Sequence, residues 1–116
     1  MTDLDFDKYQ LATADTAIYP GALEGNADAL SYVALGLVGE AGEIANKVKK
    51  ILRDKAGQVK YEDTLELSKE LGDVLWYLAR LADEIGYPLE AIAQSNLNKL
   101  NSRKARGVIS GSGDNR

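Results

Sequence analysis

The sequence predicts an all-α fold, an antiparallel helical bundle of about four helices. Three observations carry that expectation. Apolar residues recur at intervals of three and four along most of the chain, the pattern of one-sided helices. No segment reads convincingly as a strand. Breakers mark the gaps between periodic segments at Pro20-Gly21, Gly57 and Gly86 to Pro88. The 116 residues suit one domain. At this size burial is modest, so oligomerisation is expected to complete the bundle.

The first helix is expected from Leu4 to Ala17 and a loop from Ile18 to Ala27, broken by Pro20, Gly21 and Gly25. Asp28 is the expected N-cap of the second helix, which runs to about Lys55. Its stripe is Leu30, Val33, Leu37, Ala41, Ile44, Val48 and Ile51, and Gly57 is its stop. The third helix begins near Glu62 and ends at Gly86, with Leu67, Leu71, Val74, Leu78, Leu81 and Ile85 inward. Pro88 suits the first turn of a fourth helix carrying Leu89, Ile92, Ala93, Leu97 and Leu100 inward. Residues 1–106 form the helical domain. Residues 107–116, rich in Gly and Ser, are expected to be a flexible C-terminal tail. The two central helices, each roughly 25 residues and so about 37 Å long, should pack antiparallel across their short connection.

Absences narrow the chemistry. The chain has no cysteine and no histidine. Disulfides, thiolate nucleophiles, the usual zinc ligands and every Ser-His-Asp arrangement are excluded. Side-chain chemistry must rest on Asp, Glu, Lys, Arg, Tyr or hydroxyls. A net charge of −4 disfavours a nucleic-acid polymer or an anionic membrane as partner. No run of about 18 apolar residues and no leader pattern is present, so a cytoplasmic location is expected.

Two acidic pairs stand out. Glu40 and Glu43 lie three apart on the second helix, and Glu70 and Asp73 three apart on the third. On a helical wheel both pairs fall at the border between the apolar stripe and water. Gly36 and Lys47 share the first line. Glu66, Tyr77, Arg80 and Glu84 share the second. If the stripes pack together, the acidic edges converge. Like charges at this spacing cost roughly 0.2–0.5 kcal/mol per pair. Gly36, Gly39, Gly42 and Gly72 each cost roughly 0.5–1 kcal/mol against alanine. Clustered violations of local rules mark function or close packing. A divalent cation resolves the repulsion, and carboxylate oxygens favour Mg2+, with Mn2+ the alternative. The competing reading is a solvated face, since Glu-x-x-Glu is common on helices and Glu43 with Lys47 makes an ordinary i,i+4 pair.

The two motifs together, Glu40-x-x-Glu43 and, 26 residues on, Glu70-x-x-Asp73, resemble the signature of the MazG-like all-α nucleoside triphosphate pyrophosphohydrolases. The flanks "ALGLVGEAGEIANKVKK" and "LSKELGDVLWYLARLADEIG" are similar to that family, as are "DKYQLATADTAIYP" and "NLNKLNSRKARG". The resemblance spans most of residues 7 to 107. It implies homodimers or homotetramers that cleave a nucleoside triphosphate between the α- and β-phosphates, giving a monophosphate and pyrophosphate. By position it implies Glu40, Glu43, Glu70 and Asp73 as Mg2+ ligands, with Glu43 also the catalytic proton acceptor. Substrate-binding candidates are Lys47, Tyr77, Asn96, Lys99 and Arg103. Plainer alternatives are an ion pair for Lys47, and a solvated basic face near a helix C-terminus for Asn96, Lys99 and Arg103 on the fourth helix. Trp76 falls away from the stripe on the wheel and suits a subunit interface. Two other functional readings stand beside pool clearing of (d)NTPs. One is a relative of narrower specificity, such as a dUTP or dCTP pyrophosphatase or a phosphoribosyl-ATP pyrophosphohydrolase. The other is a non-enzymatic helical dimerisation or adaptor protein.

Overall fold

The computed structural model describes residues 3–116, and among them all regular structure is helical. Helix α1 spans Phe6–Thr13 and tightens into a 3₁₀ turn at Ala14–Thr16. Helix α2 spans Ala27–Asp54, α3 Tyr61–Glu84 and α4 Leu89–Ala105. The Asp5 carboxylate caps α1 by accepting the Lys8 N–H at 2.8 Å. Asn26, not Asp28, caps α2, its Oδ1 accepting the Ala29 N–H at 2.9 Å. Asp28 instead sits in the first turn, where its charge suits the helix dipole. At the far end Gly57, at φ 77°, donates its N–H back to the Ile51 carbonyl at 3.2 Å. Gly86, at φ 78°, turns the chain out of α3, and the Tyr87 N–H closes on the Ala82 carbonyl.

Helices α2 and α3 form the antiparallel hairpin that organises the molecule, and α1 and α4 pack on α3. Two small cores hold these contacts. One joins Tyr19, Ala29 and Val33 to Trp76, Tyr77 and Leu81. The other joins Ala79, Ala82 and Leu89 to Tyr9, Leu75 and Ile92. Gln10 pins α1 to the α3–α4 turn, donating to the Tyr87 carbonyl and accepting the Leu89 N–H.

A buried polar network locks the α1–α2 loop onto α3. Glu84 accepts the Leu23 and Gly25 N–H groups, each at 2.8 Å, and the Tyr19 hydroxyl. Leu23 is held at φ 70°, an unusual conformation for leucine, by that contact. The fully buried Arg80 donates to Asp83 at 2.8 Å and Thr13 at 3.1 Å, and lies 3.8 Å from Glu84. Burial opposes the Glu84 charge. The hydrogen bonds from Tyr19, Leu23 and Gly25 and the nearby Arg80 outweigh it and hold the carboxyl below its ordinary value of 4.5.

Both expected stripes are only partly buried. On α2, Val33 and Ile51 are buried, Leu30, Leu37 and Ile44 half-buried, and Ala41 and Val48 exposed. On α3, Leu71, Leu78 and Ile85 are exposed, whereas Ala79, Arg80, Ala82 and Glu84 are buried. The reason is that α3 serves two neighbours. Its Tyr77–Arg80–Glu84 line faces α2 and the loop, and its Leu75–Ala79–Ala82 line faces α1 and α4. Trp76 is a correction of the same kind. It packs edge-on against Tyr19 with ring centroids 6.2 Å apart and donates to Thr16 Oγ1 at 2.9 Å, inside the protomer.

The radius of gyration is 17.1 Å, against about 13 Å for a compact domain of this length. Leu35, Val38, Leu52, Leu71 and Leu97 are all more than half exposed. One protomer thus leaves much of the apolar pattern on its two long helices uncovered.

Candidate metal centre

Glu70 and Asp73 lie three apart on α3 and so share a face. Glu40 meets them from the middle of α2. One carboxylate oxygen from each of the three lies within 4.8 Å of the others. Two unit charges 4.8 Å apart repel by about 3 kcal/mol at an effective dielectric of about 20. Burial, and then the carboxylates of Glu70 and Asp73 with that of Glu43 beyond them, push the Glu40 carboxyl above its ordinary value of 4.5. Among the described residues the cation paired with these acids is Lys47, whose Nζ stands 3.9 Å from Glu70 and from the neighbouring Glu66, too long for a hydrogen bond.

The donor set fits a hard divalent cation. Its ligands are all carboxylate oxygens, the type that Mg2+ and Mn2+ take. Glu70 Oε2 is buried without a hydrogen-bond partner among the described residues. An orphaned anionic oxygen beside two further carboxylates is an arrangement that a cation completes and that water-exposed acids do not need. Glu43 is exposed and stands outside the close group, one turn along α2 from Glu40.

Around this centre the structure joins Gly36 and Tyr77, which the wheel sets on the two acidic lines, and adds Tyr9 and Tyr32, which it did not place. Tyr77 lies across α2 at Gly36, where an added Cβ would come within 2.2 Å of the ring. Gly36 is therefore a close-packing glycine, while a Cβ on Gly39, Gly42 or Gly72 would meet nothing within 4 Å. Burial first, then the neighbouring Tyr32 and the charges of Glu40 and Asp73, raise the Tyr77 hydroxyl above its ordinary value. Tyr9, from α1, is raised by burial and by Asp73. Its approach depends on how α1 crosses α3, which no local pattern encodes. Tyr32 stacks on Tyr19 with centroids 5.3 Å apart and stays partly exposed.

The α4 candidates are placed elsewhere. Asn96 and Lys99 line a cavity of about 310 Å³ with Tyr87, Ile92 and Ser95, which includes none of the three clustered acids. Arg103 is buried, and both it and Lys99 contact Asp114. Residues 107–116, expected from composition to be flexible, here fold back along α4 through these contacts.

A model of the MazG nucleotide pyrophosphohydrolase domain matches residues 29–108, which span the second to fourth helices and all three clustered acids. Gene 37 protein of Mycobacterium phage L5 is 63% identical over 113 residues, covering 95% of this chain and 97% of its own length. Uncharacterized protein YvdC of Bacillus subtilis (strain 168) is 38% identical over 78 residues, 62% of this chain and 74% of its own. No solved structure matches. No helix among the described residues is long and apolar enough to cross a membrane. The all-α architecture, the paired acidic motifs and the matched domain place this chain in the MazG nucleotide pyrophosphohydrolase family.

Proposed function

We propose that the protein is a divalent-cation-dependent nucleotide pyrophosphohydrolase that cleaves a (d)NTP between the α- and β-phosphates. The observation that carries this reading is the convergence of Glu40, Glu70 and Asp73, with one Glu70 oxygen buried and unpartnered. A solvated acidic face leaves its oxygens to water; Glu70 Oε2 is shielded from it. Glu40, Glu70 and Asp73 would hold Mg2+, with Mn2+ an alternative. When bound, the cation supplies neutralisation of phosphate charge and acidifies water, which a site without histidine otherwise lacks.

The chain's own residues take the remaining roles. Glu43, exposed and adjacent on α2, is the proposed proton acceptor for the attacking water. Lys47 sits at the edge of the acids and is free to turn from Glu66 and Glu70 toward a substrate phosphate. Tyr77 closes the α2–α3 side of the site beside Glu40. The partly exposed Tyr32 offers an aromatic surface to the base or sugar. Asn96 and Lys99, whose cavity includes none of the three acids, would meet substrate held by a second copy, with the buried Arg103 positioning the segment beside Lys99. The uncovered apolar faces of α2 and α3 support a homodimer or homotetramer.

The test is a panel of canonical and modified nucleotides incubated with Mg2+ and scored for products. Monophosphate and pyrophosphate in equal amounts are expected. Folded protein that releases orthophosphate, or nothing, from every nucleotide defeats the reading. The Glu43→Gln variant divides the roles: turnover should fall while cation affinity is kept. Loss of affinity would make Glu43 a ligand instead.

A further inference from the structure

The segment after α4 is short but heavily organised. The Arg116 guanidinium donates to the carbonyls of Val108, Ile109 and Gly113. Arg103 Nη2 donates to the Asp114 carbonyl at 2.6 Å and its carboxylate at 3.3 Å. Lys99 Nζ reaches the same carboxylate at 3.1 Å. Gly107, Gly111 and Gly113 take φ values of 71°, 122° and 88°, which let the chain coil around these two guanidiniums.

This arrangement has a consequence for the backbone. Four carbonyls, those of Val108, Ile109, Gly113 and Asp114, are drawn onto guanidinium groups. Among the described residues, no N–H from Ile109 to Asn115 has a protein acceptor. Successive unpaired amides in a coiled glycine-rich turn present partial positive charge suited to an anion. Side-chain charge agrees: residues 99–116 carry five cations against the single carboxylate of Asp114, in a chain of net charge −4. Arg103, only 5% exposed, also keeps a buried Nε with no partner among the described residues.

We propose that the loop Ile109–Asn115, with Lys99 at its rim, is a phosphate-binding site that takes the phosphate groups of the nucleotide. Arg116 and Arg103 are its positioning residues, since they gather the carbonyls that leave the amides available. The choice of a nucleotide as occupant rests on the function proposed above; the anion site itself does not.

The experiment is calorimetric titration of inorganic tripolyphosphate into the full chain without divalent cation, so neither hydrolysis nor the acidic cluster enters the readout. Wild type is expected to bind. Lys99→Gln should weaken binding about tenfold, the value of one charge-assisted hydrogen bond, and Arg116→Gln and Gly113→Ala, which disturb the loop rather than remove a direct contact, should weaken it at least as much. Circular dichroism should stay unchanged, because Gly113 and Arg116 lie outside every helix and glutamine matches lysine as a helix former at position 99 of α4. Absence of binding by wild type, or equal binding by Arg116→Gln and Gly113→Ala, overturns the proposal. So does tighter binding in both Arg116→Gln and Asp114→Asn, which would make the loop a plug over Lys99. Tighter binding of a single-stranded oligonucleotide than of tripolyphosphate overturns the nucleotide as occupant. Should tripolyphosphate bind as expected while no nucleotide releases pyrophosphate, the hydrolase reading fails and this site stands.

Discussion

Replacing Gly36 by alanine sets two effects of opposite sign against each other. Alanine in a helix interior gains about 0.5–1 kcal/mol over glycine. The new Cβ, however, would stand 2.2, 2.5 and 2.6 Å from three ring carbons of Tyr77, where ordinary carbon contacts need about 3.5–4.0 Å. The ring must therefore retreat by about 1 Å or more. Its escape is limited by Trp76, packed edge-on at 5.0 Å. Overpacking of this kind costs about 1–3 kcal/mol. The clash wins, and a net loss of about 1–2 kcal/mol is expected, or about 4–8 °C in melting temperature for a domain of this size. Thermal and urea unfolding of Gly36→Ala, Tyr77→Ala and the double variant measure it. In the Tyr77→Ala background the same substitution should turn stabilising, by about 0.5–1 kcal/mol. If Gly36→Ala stabilises the wild-type protein, the Tyr77 contact does not exist as described.

Other outcomes follow from the same geometry. Glu84→Gln leaves the buried Arg80 charge without its nearby carboxylate, and a loss of about 2–4 kcal/mol is expected, short of complete because Asp83 remains; a change under about 0.5 kcal/mol would contradict the lock. Because the Glu84 carboxyl is depressed, its stabilisation is full above its ordinary value of 4.5 and disappears as pH falls through the depressed value. Acid unfolding of Glu84→Gln should accordingly lack that component of the wild-type curve. Without cation, Glu40→Gln relieves repulsion and should raise the unfolding midpoint; with excess Mg2+ the order should reverse, since the variant has lost a ligand. Lys47→Met removes a cation 3.9 Å from Glu70, so Mg2+ should bind more tightly while KM for nucleotide rises; weaker Mg2+ binding would argue against this role.

The helices and their order were legible because breakers and three-four spacing are local. The acidic pairs were legible for the same reason, since each pair needs only one helix to define its face. Their convergence followed from pairing α2 with α3, which a short connection nearly dictates. What the sequence did not disclose depends on which neighbour each face meets. Leu71, Leu78 and Ile85 read as core on the wheel yet are exposed, because α3 divides its contacts between α2 on one side and α1 and α4 on another. Arg80 and Glu84 read as an acidic-basic border and are buried instead, because the α1–α2 loop supplies backbone N–H groups and a tyrosine to satisfy them. Tyr9 packs against the second core only through the crossing of α1 over α3. The segment after Gly107 has a flexible composition, but Arg103 of α4 and its own Arg116 find carbonyls in it that composition does not count.

The central claim is that Glu40, Glu70 and Asp73 together hold a divalent cation. Calorimetric titration of Mn2+ into wild type and Glu70→Gln addresses it most directly. Specific binding by wild type, weakened at least about tenfold in a variant that keeps its helicity, is the predicted result. Equal affinity in the two proteins, or no specific binding to wild type, would contradict the account.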